Sequence, residues 1–230
     1  MIEIITREQW GAIHANGFHT RAVGDLEKWL HHSVTAQLPK TASMRDEVKQ
    51  MRILEDIGEQ RFGGGISYSF PIFPSGRIYE GVSIDRVGAH TAGHNTIGAA
   101  ICLVGNYEEH EPTQEQIDAV IRLLEHGVIQ GWWKDSMLDG GHRDLKATAC
   151  PGKFAYKKIS VINHVKNLLV KPSTPKPINQ PVKPAKSVQQ MASEVIAGKH
   201  GNGHEQRRKS LGVDAKTYEL VRTEVNRRLL

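Results

Sequence analysis

The chain has 230 residues, a formal charge of +5 and two cysteines, which is enough length for one sizeable core with a small appendage and too little cysteine for a disulfide-framed scaffold. No apolar run approaches the length of a membrane helix, and the opening MIEIITREQW, acidic at Glu3 and polar from Thr6, lacks the basic and long apolar regions of a signal peptide. The expectation is a product made in the cytoplasm without a leader, where reduced thiols point to chemistry or metal before a disulfide.

In chain order, EKWLHHSV is the first β-like run. Ser43 then opens a helix with Met44, Val48, Met51 and Leu54 on one face, which Gly58 is expected to end. GISYSFPIF and GRIYEG follow as strands, with PSG at 74–76 as a hairpin turn, and GAAICLVG is a further strand. Thr113 and Gln116 make a capping-box pattern ahead of Ile117, Val120, Ile121, Leu124 and Val128, spaced for one helical face. Strand, helix, hairpin, strand, helix is an α/β layer arrangement with a mixed central sheet flanked by helices. The run Gly63, Gly64, Gly65 precedes a strand and lacks the Lys-Ser or Lys-Thr of a phosphate loop, so it reads as flexible loop.

Residues 171–186, KPSTPKPINQPVKPAK, hold five of the ten prolines and four lysines without an acid. Such a stretch packs no core and acts as an extended spacer, dividing a domain at 1–170 from one at 187–230. Residues 1–170 carry 18 basic against 20 acidic side chains, and residues 187–230 carry eight against five. The excess positive charge therefore sits in the tail, which directs that end to an anionic partner. The tail reads as a small all-α unit of three helices: MASEVIAGK up to Gly198, HEQRRKSLG up to Gly212, and a last helix capped by Asp214 that carries Tyr218, Leu220 or Val221, Val225 and Leu229.

The chemistry concentrates in GGHRDLKATACPG, residues 140–152, where His142 and Cys150 occupy a Gly-flanked, Pro-stopped segment. A catalytic zinc site needs three protein ligands and one position for water, and this pair supplies two. The third is best sought in His31 and His32 at the end of a strand. Alternation sends the two rings to opposite faces without choosing between them. Cys102, inside the apolar run AAICLV, is a rival disulfide partner for Cys150 but reads better as an inert core residue. Tyr68 would share a strand face with Ile66 and Phe70 as a core aromatic, and Thr148 would be a turn residue bonding its own loop.

Four ordered segments, EKWLHHSVT, GGISYSFPIFPSGRIYEG, GAHTAGHNTIGAAICLVGNY and GGHRDLKATACPG, together resemble the zinc-dependent N-acetylmuramoyl-L-alanine amidases of phage lysozyme type, which share a fold with the animal peptidoglycan recognition proteins. ITREQWGA is similar to the segment that opens many of those recognition domains. The resemblance spans nearly all of residues 1–158. It implies the amidase/recognition-protein fold and one zinc ion held by His31, His142 and Cys150. It implies Tyr68 as the active-site tyrosine, with Thr148 able to add a hydrogen bond, and His90 and Asn95 as substrate contacts. Many phage members place a lysine where this chain has Thr148, and some bacterial relatives carry a catalytic glutamate where Cys102 stands, so the resemblance names no general base beyond the zinc-activated water. Recognition proteins that only bind typically lose the cysteine ligand, and Cys150 is present.

The tail resembles a three-helix cell-wall-binding repeat found in some phage lysozymes, through its VIAGK and GNG segments and the closing VNRRL. The alternative weighed for its Arg207, Arg208, Lys209, Arg227 and Arg228 is a helix-turn-helix gripping nucleic acid. The two resemblances together imply a phage-type endolysin that hydrolyses the amide between N-acetylmuramic acid and L-alanine. It would accumulate in the host cytoplasm and act on the wall once the membrane is permeabilised. The implied partner is bacterial peptidoglycan, with no nucleic acid, no stable membrane association, and an oligomeric state left open. A non-catalytic peptidoglycan-binding protein on the same fold is the alternative.

Overall fold

In the computed structural model, which describes residues 2–169, 188–213 and 215–229, the chain forms one compact unit within residues 1–172 and another within 173–230. The expected spacer and the Asp214 cap lie outside the described residues. The first unit begins with β1 (Ile4–Ile5), α1 (Arg7–Trp10), β2 (Glu27–His32) and α2 (Met44–Phe62), then β3 (Phe70–Ile72), β4 (Ile78–Tyr79) and β5 (Gly98–Leu103). It continues with α3 (Gln114–Ile129), β6 (Gly140–Gly141), α4 (His142–Leu145) and α5 (Lys153–Leu169). The six strands form one sheet in the order β1-β4-β3-β5-β2-β6. Only β3 and β4 pair antiparallel, so the sheet is mixed.

The helices cover both faces of that sheet. On one face Met51 and Leu54 of α2 pack with Ile5, Trp10, Phe73, Tyr79 and Val104. On the other, Ile117, Val120, Leu123 and Leu124 of α3 and Ala155 and Ile162 of α5 pack with Leu30, Ile101 and Leu103. Full burial of each large aliphatic side chain there contributes about 2 kcal/mol. Coverage on both faces is why β5 reads as a continuous apolar run instead of alternating: every residue in it is buried. The α3 cap forms as the sequence reads, with Thr113 Oγ1 accepting from Gln116 N–H at 3.2 Å and Gln116 Oε1 accepting from Thr113 N–H at 3.2 Å.

Several elements differ from expectation. Gly58 does not end α2, which runs on to a left-handed cap at Gly63. A Cβ at Gly58 would overlap the Gly65 carbonyl, so glycine serves close approach of a neighbouring loop here, and not termination. Of GISYSFPIF only Phe70–Ile72 is strand; residues 66–69 are irregular, with bends at Ser67 and Ser69. The turn at 74–76 forms as read, with Gly76 N–H donating to the Phe73 carbonyl at 2.8 Å. The elements β1, α1, β6, α4 and α5 were not expected. All but α5 are too short for periodicity to register, while α5 carries its signal in Ala155, Ile159 and Ile162.

A buried carboxylate staples α2 to the hairpin. Glu47 is fully buried and accepts from Ser75 Oγ at 2.6 Å, Arg77 Nε at 2.7 Å and Tyr79 Oη at 2.9 Å. Glu47→Ala removes the shared acceptor and leaves the tyrosine hydroxyl and the guanidinium short of a partner. Urea unfolding is expected to show a loss of about 3 kcal/mol; a loss below about 1 kcal/mol would mean the hairpin is held by packing alone.

The second unit has α6 (Val188–Ile196), α7 (His204–Leu211) and α8 (Ala215–Leu229). Met191, Ala192 and Val195 meet Val221 and Val225 in a small core. Of the two positions left open by the spacing, Val221 is buried and Leu220 is exposed. Gly212 closes α7 in the left-handed conformation, donating to the Arg208 and Lys209 carbonyls. Among the described residues no helix is long and apolar enough to cross a membrane.

Candidate active site

The C-terminal end of β2 carries the first functional side chain. β2 lies between β5 and β6, with His31 beside Cys102 and Trp29 beside Gly140. The parallel pairing with β6 delivers α4, whose first residue is His142, to the same end of the sheet. Asp144 holds this short turn: its carboxylate accepts from Gly141 N–H at 2.8 Å and from Tyr156 Oη at 2.6 Å. The loop then returns Cys150, where Thr148 Oγ1 accepts from Cys150 N–H at 3.2 Å. The thiol also receives the His32 N–H at 3.4 Å.

These connections bring His31, His142 and Cys150 together, with one ligating atom from each all within 4.8 Å of one another. Cys150 Sγ lies 3.7 Å from His31 Nδ1, and the His31 and His142 rings are 4.7 Å apart. His31 Nε2 is buried with no hydrogen-bond partner. Burial first, then His90, His142 and His32, hold the His31 imidazole well below its usual pKa, so it is neutral and able to ligate. Burial pushes the Cys150 thiol up to about 11, against the pull of the His32 amide and Arg143, so an ion binding here displaces a proton. Two imidazoles and one thiol with a further position open is a donor set that fits zinc.

His32 faces another way. Its Nδ1 accepts from Tyr107 N–H at 3.2 Å, which leaves the proton on Nε2, and burial lowers its pKa to about 4. The strand is buried on both faces, so both histidines are interior and exposure does not separate them. Both cysteines are free. Cys102 is fully buried, its thiol directed at the Leu103 carbonyl at 3.7 Å, and it stands outside the donor cluster.

The cluster opens into a cleft of about 720 Å³ whose lining includes Tyr68, His90, Thr148 and, from α2, Ile57 and Phe62. Tyr68 lies in the loop before β3 and not on a strand face. Its ring is 5.7 Å from that of His31, and its hydroxyl has a weak contact of 3.5 Å to the His32 carbonyl. Burial, with Cys102 and Cys150 behind it, raises the phenol well above its ordinary pKa, so it remains a proton donor at neutral pH. His90 packs edge-on to His31 at 5.2 Å, and its Nε2 donates to the Gly98 carbonyl at 3.1 Å. Asn95 does not line the cleft; its Oδ1 accepts from His90 N–H at 2.9 Å and Thr91 N–H at 2.7 Å and shapes the loop that carries His90. Thr148 is exposed at the cleft, and its hydroxyl makes the turn bond to Cys150 N–H. The α2 wall and the Asp144–Tyr156 strut were not anticipated. Ile57 could have been noticed as an apolar residue three positions beyond the buried stripe, whereas nothing local marks Asp144.

Residues 28–153 match the family model for N-acetylmuramoyl-L-alanine amidase, and residues 189–229 match the CW_7 repeat. The chain is 39% identical over 163 residues to a peptidoglycan recognition protein of Trichoplusia ni, covering 70% of this chain and 87% of that one. It is 32% identical over 138 residues to the human N-acetylmuramoyl-L-alanine amidase, covering 59% of this chain and 24% of the human one. Among solved structures it is similar to wild-type Drosophila PGRP-LB, with a TM-score of 0.61 and 29% identity over 69% of this chain and 92% of that one.

Proposed function

The chain belongs to the N-acetylmuramoyl-L-alanine amidase family, and on that premise we propose that it is a zinc-dependent hydrolase of the amide between N-acetylmuramic acid and L-alanine in peptidoglycan. The observation that carries the reading is the convergence of His31, His142 and Cys150 at a cleft that also contains Tyr68. His31, His142 and Cys150 would hold the ion. When bound, zinc would supply a Lewis acid that lowers the pKa of water towards about 7 and polarises the scissile carbonyl.

The chain's own residues do the rest. Tyr68, kept neutral by burial, donates its O–H to the carbonyl oxygen as negative charge develops there. His90, neutral because burial lowers its pKa to about 4, walls the cleft beside His31 and fixes the rim through Gly98. The His32 amide holds the Cys150 sulfur in place. The second unit, through its match to the CW_7 repeat, would tether the enzyme to the wall. The whole fits an endolysin that accumulates inside a phage host and reaches the wall after membrane permeabilisation.

The relatives named recognition proteins favour a second reading, binding without cleavage. One experiment separates the two: the purified chain is assayed for metal content and incubated with peptidoglycan sacculi. About one zinc per chain and the appearance of new L-alanine amino termini support hydrolysis. Adsorption to sacculi with no amino termini released, by zinc-loaded protein, overturns it in favour of recognition.

A further inference from the structure

Val34 has φ 54°, and among the described residues it alone, glycines aside, has a positive φ. For a branched side chain the left-handed region is a true outlier, because the Cβ crowds the following carbonyl. Such strain persists only where the surroundings over-determine it, and it clusters at functional positions. The surroundings here do so: Val34 N–H donates to the Gly105 carbonyl at 3.0 Å and Ser33 N–H to the Leu103 carbonyl at 3.2 Å. Ser33 Oγ in turn accepts from Gly105 N–H at 2.9 Å and contacts Thr35 Oγ1 at 2.7 Å.

The strain secures no core packing, since Val34 is 61% exposed. The residue instead lines the cleft that holds the donor cluster, together with Ile57 and Phe62, which are 39% and 50% exposed. Glycine or asparagine would adopt this backbone without strain, so neither the turn nor the core calls for valine. What valine adds at this lining position is an exposed, apolar, branched side chain.

We infer that Val34 is a specificity-determining residue, held in a strained backbone so that its isopropyl group meets the small apolar groups flanking the scissile amide. This rests on the hydrolase reading above. In a muramyl peptide that bond has a methyl on each side, one on the lactyl group and one on L-alanine. Neither can hydrogen-bond, so recognition must come from an apolar contact of matching size. A substrate with glycine in place of L-alanine lacks one methyl and forfeits that contact.

The test uses the zinc-loaded full chain and two soluble muramyl peptides, one with L-alanine and one with glycine as first residue. Wild type and Val34→Ile are expected to favour the L-alanyl peptide in kcat/KM by about tenfold, the discrimination one methyl provides in an apolar site. Val34→Asn, which relieves the backbone but removes the apolar surface, should bring that ratio close to one through loss of kcat/KM on the L-alanyl peptide. Its Tm should rise by about 2–4 °C, the shift expected for relief of one strained residue in a domain of this size. A Val34→Asn protein that keeps the tenfold preference, or that melts below wild type, overturns the inference while leaving hydrolysis standing. A wild type that cleaves neither peptide overturns both.

Discussion

Replacing Cys150 by serine is expected to reduce bound zinc from about one per chain to near zero and to lower turnover on peptidoglycan by at least about a thousandfold. Serine keeps the size of the side chain but offers a hydroxyl that does not ionise as a soft ligand, so the donor set falls to two imidazoles. A thousandfold corresponds to about 4 kcal/mol of lost transition-state stabilisation, a modest demand on a group that both activates water and polarises the carbonyl. The contrast with neighbouring residues makes the result specific. Cys102→Ala should leave the zinc content unchanged, because that thiol lies against the Leu103 carbonyl outside the cluster. His32→Ala should also keep the metal, since His32 Nδ1 is committed to the Tyr107 amide. Its cost should appear as lost stability. Zinc retained by Cys150→Ser, or lost from Cys102→Ala, would show that the donor set has been assigned to the wrong residues.

Tyr68→Phe should lower kcat by about a hundredfold while leaving zinc content and KM close to wild type. Removing one oxyanion donor typically costs about 3 kcal/mol, felt where the charge develops and not in the ground state. The hydroxyl is available for this role because its contact within the protein is long, at 3.5 Å to the His32 carbonyl. Burial raises the phenol well above its ordinary pKa, so it is protonated throughout the neutral range and contributes no limb to the pH–rate profile there. Measurement of kcat, KM and metal content on one preparation checks all parts of this expectation. An unchanged kcat would remove Tyr68 from the chemistry and leave it a wall of the cleft.

The parts of the molecule that were legible in the sequence are those where a local pattern has one physical solution. Thr113 and Gln116 can satisfy each other's backbone amides only at a helix start, and the α3 cap follows. The GAAICLVG run is too short for a buried helix and too apolar for an exposed strand, so β5 was readable as a covered strand. The donor set was legible as residue types but not as an assignment. β2 is covered on both faces, which removes the alternation that would otherwise have told His31 from His32, and it was the family resemblance that singled out His31. Val34 escaped notice because HHSVT contains no glycine or asparagine to signal a left-handed turn. Gly58 misled for the opposite reason, being present for the Gly65 carbonyl and not as a helix stop. Asn95, read as a substrate contact, spends its side-chain oxygen on two backbone amides, a use that no one-dimensional pattern distinguishes from ligand binding.

The position of β2 between β5 and β6 also governs when the site comes into being. His31 and Cys150 are 119 residues apart in the chain, and the segment carrying Cys150 follows directly on the short β6 pairing at Trp29 and Leu30. Contacts of such long range are slow to close, because chain entropy is lost before the pairing repays it. A nascent chain that has already joined β2 to β5 still presents a lone imidazole where the donor cluster will be. The donor set is therefore complete only once β6 has joined the sheet and the chain has been made as far as Cys150.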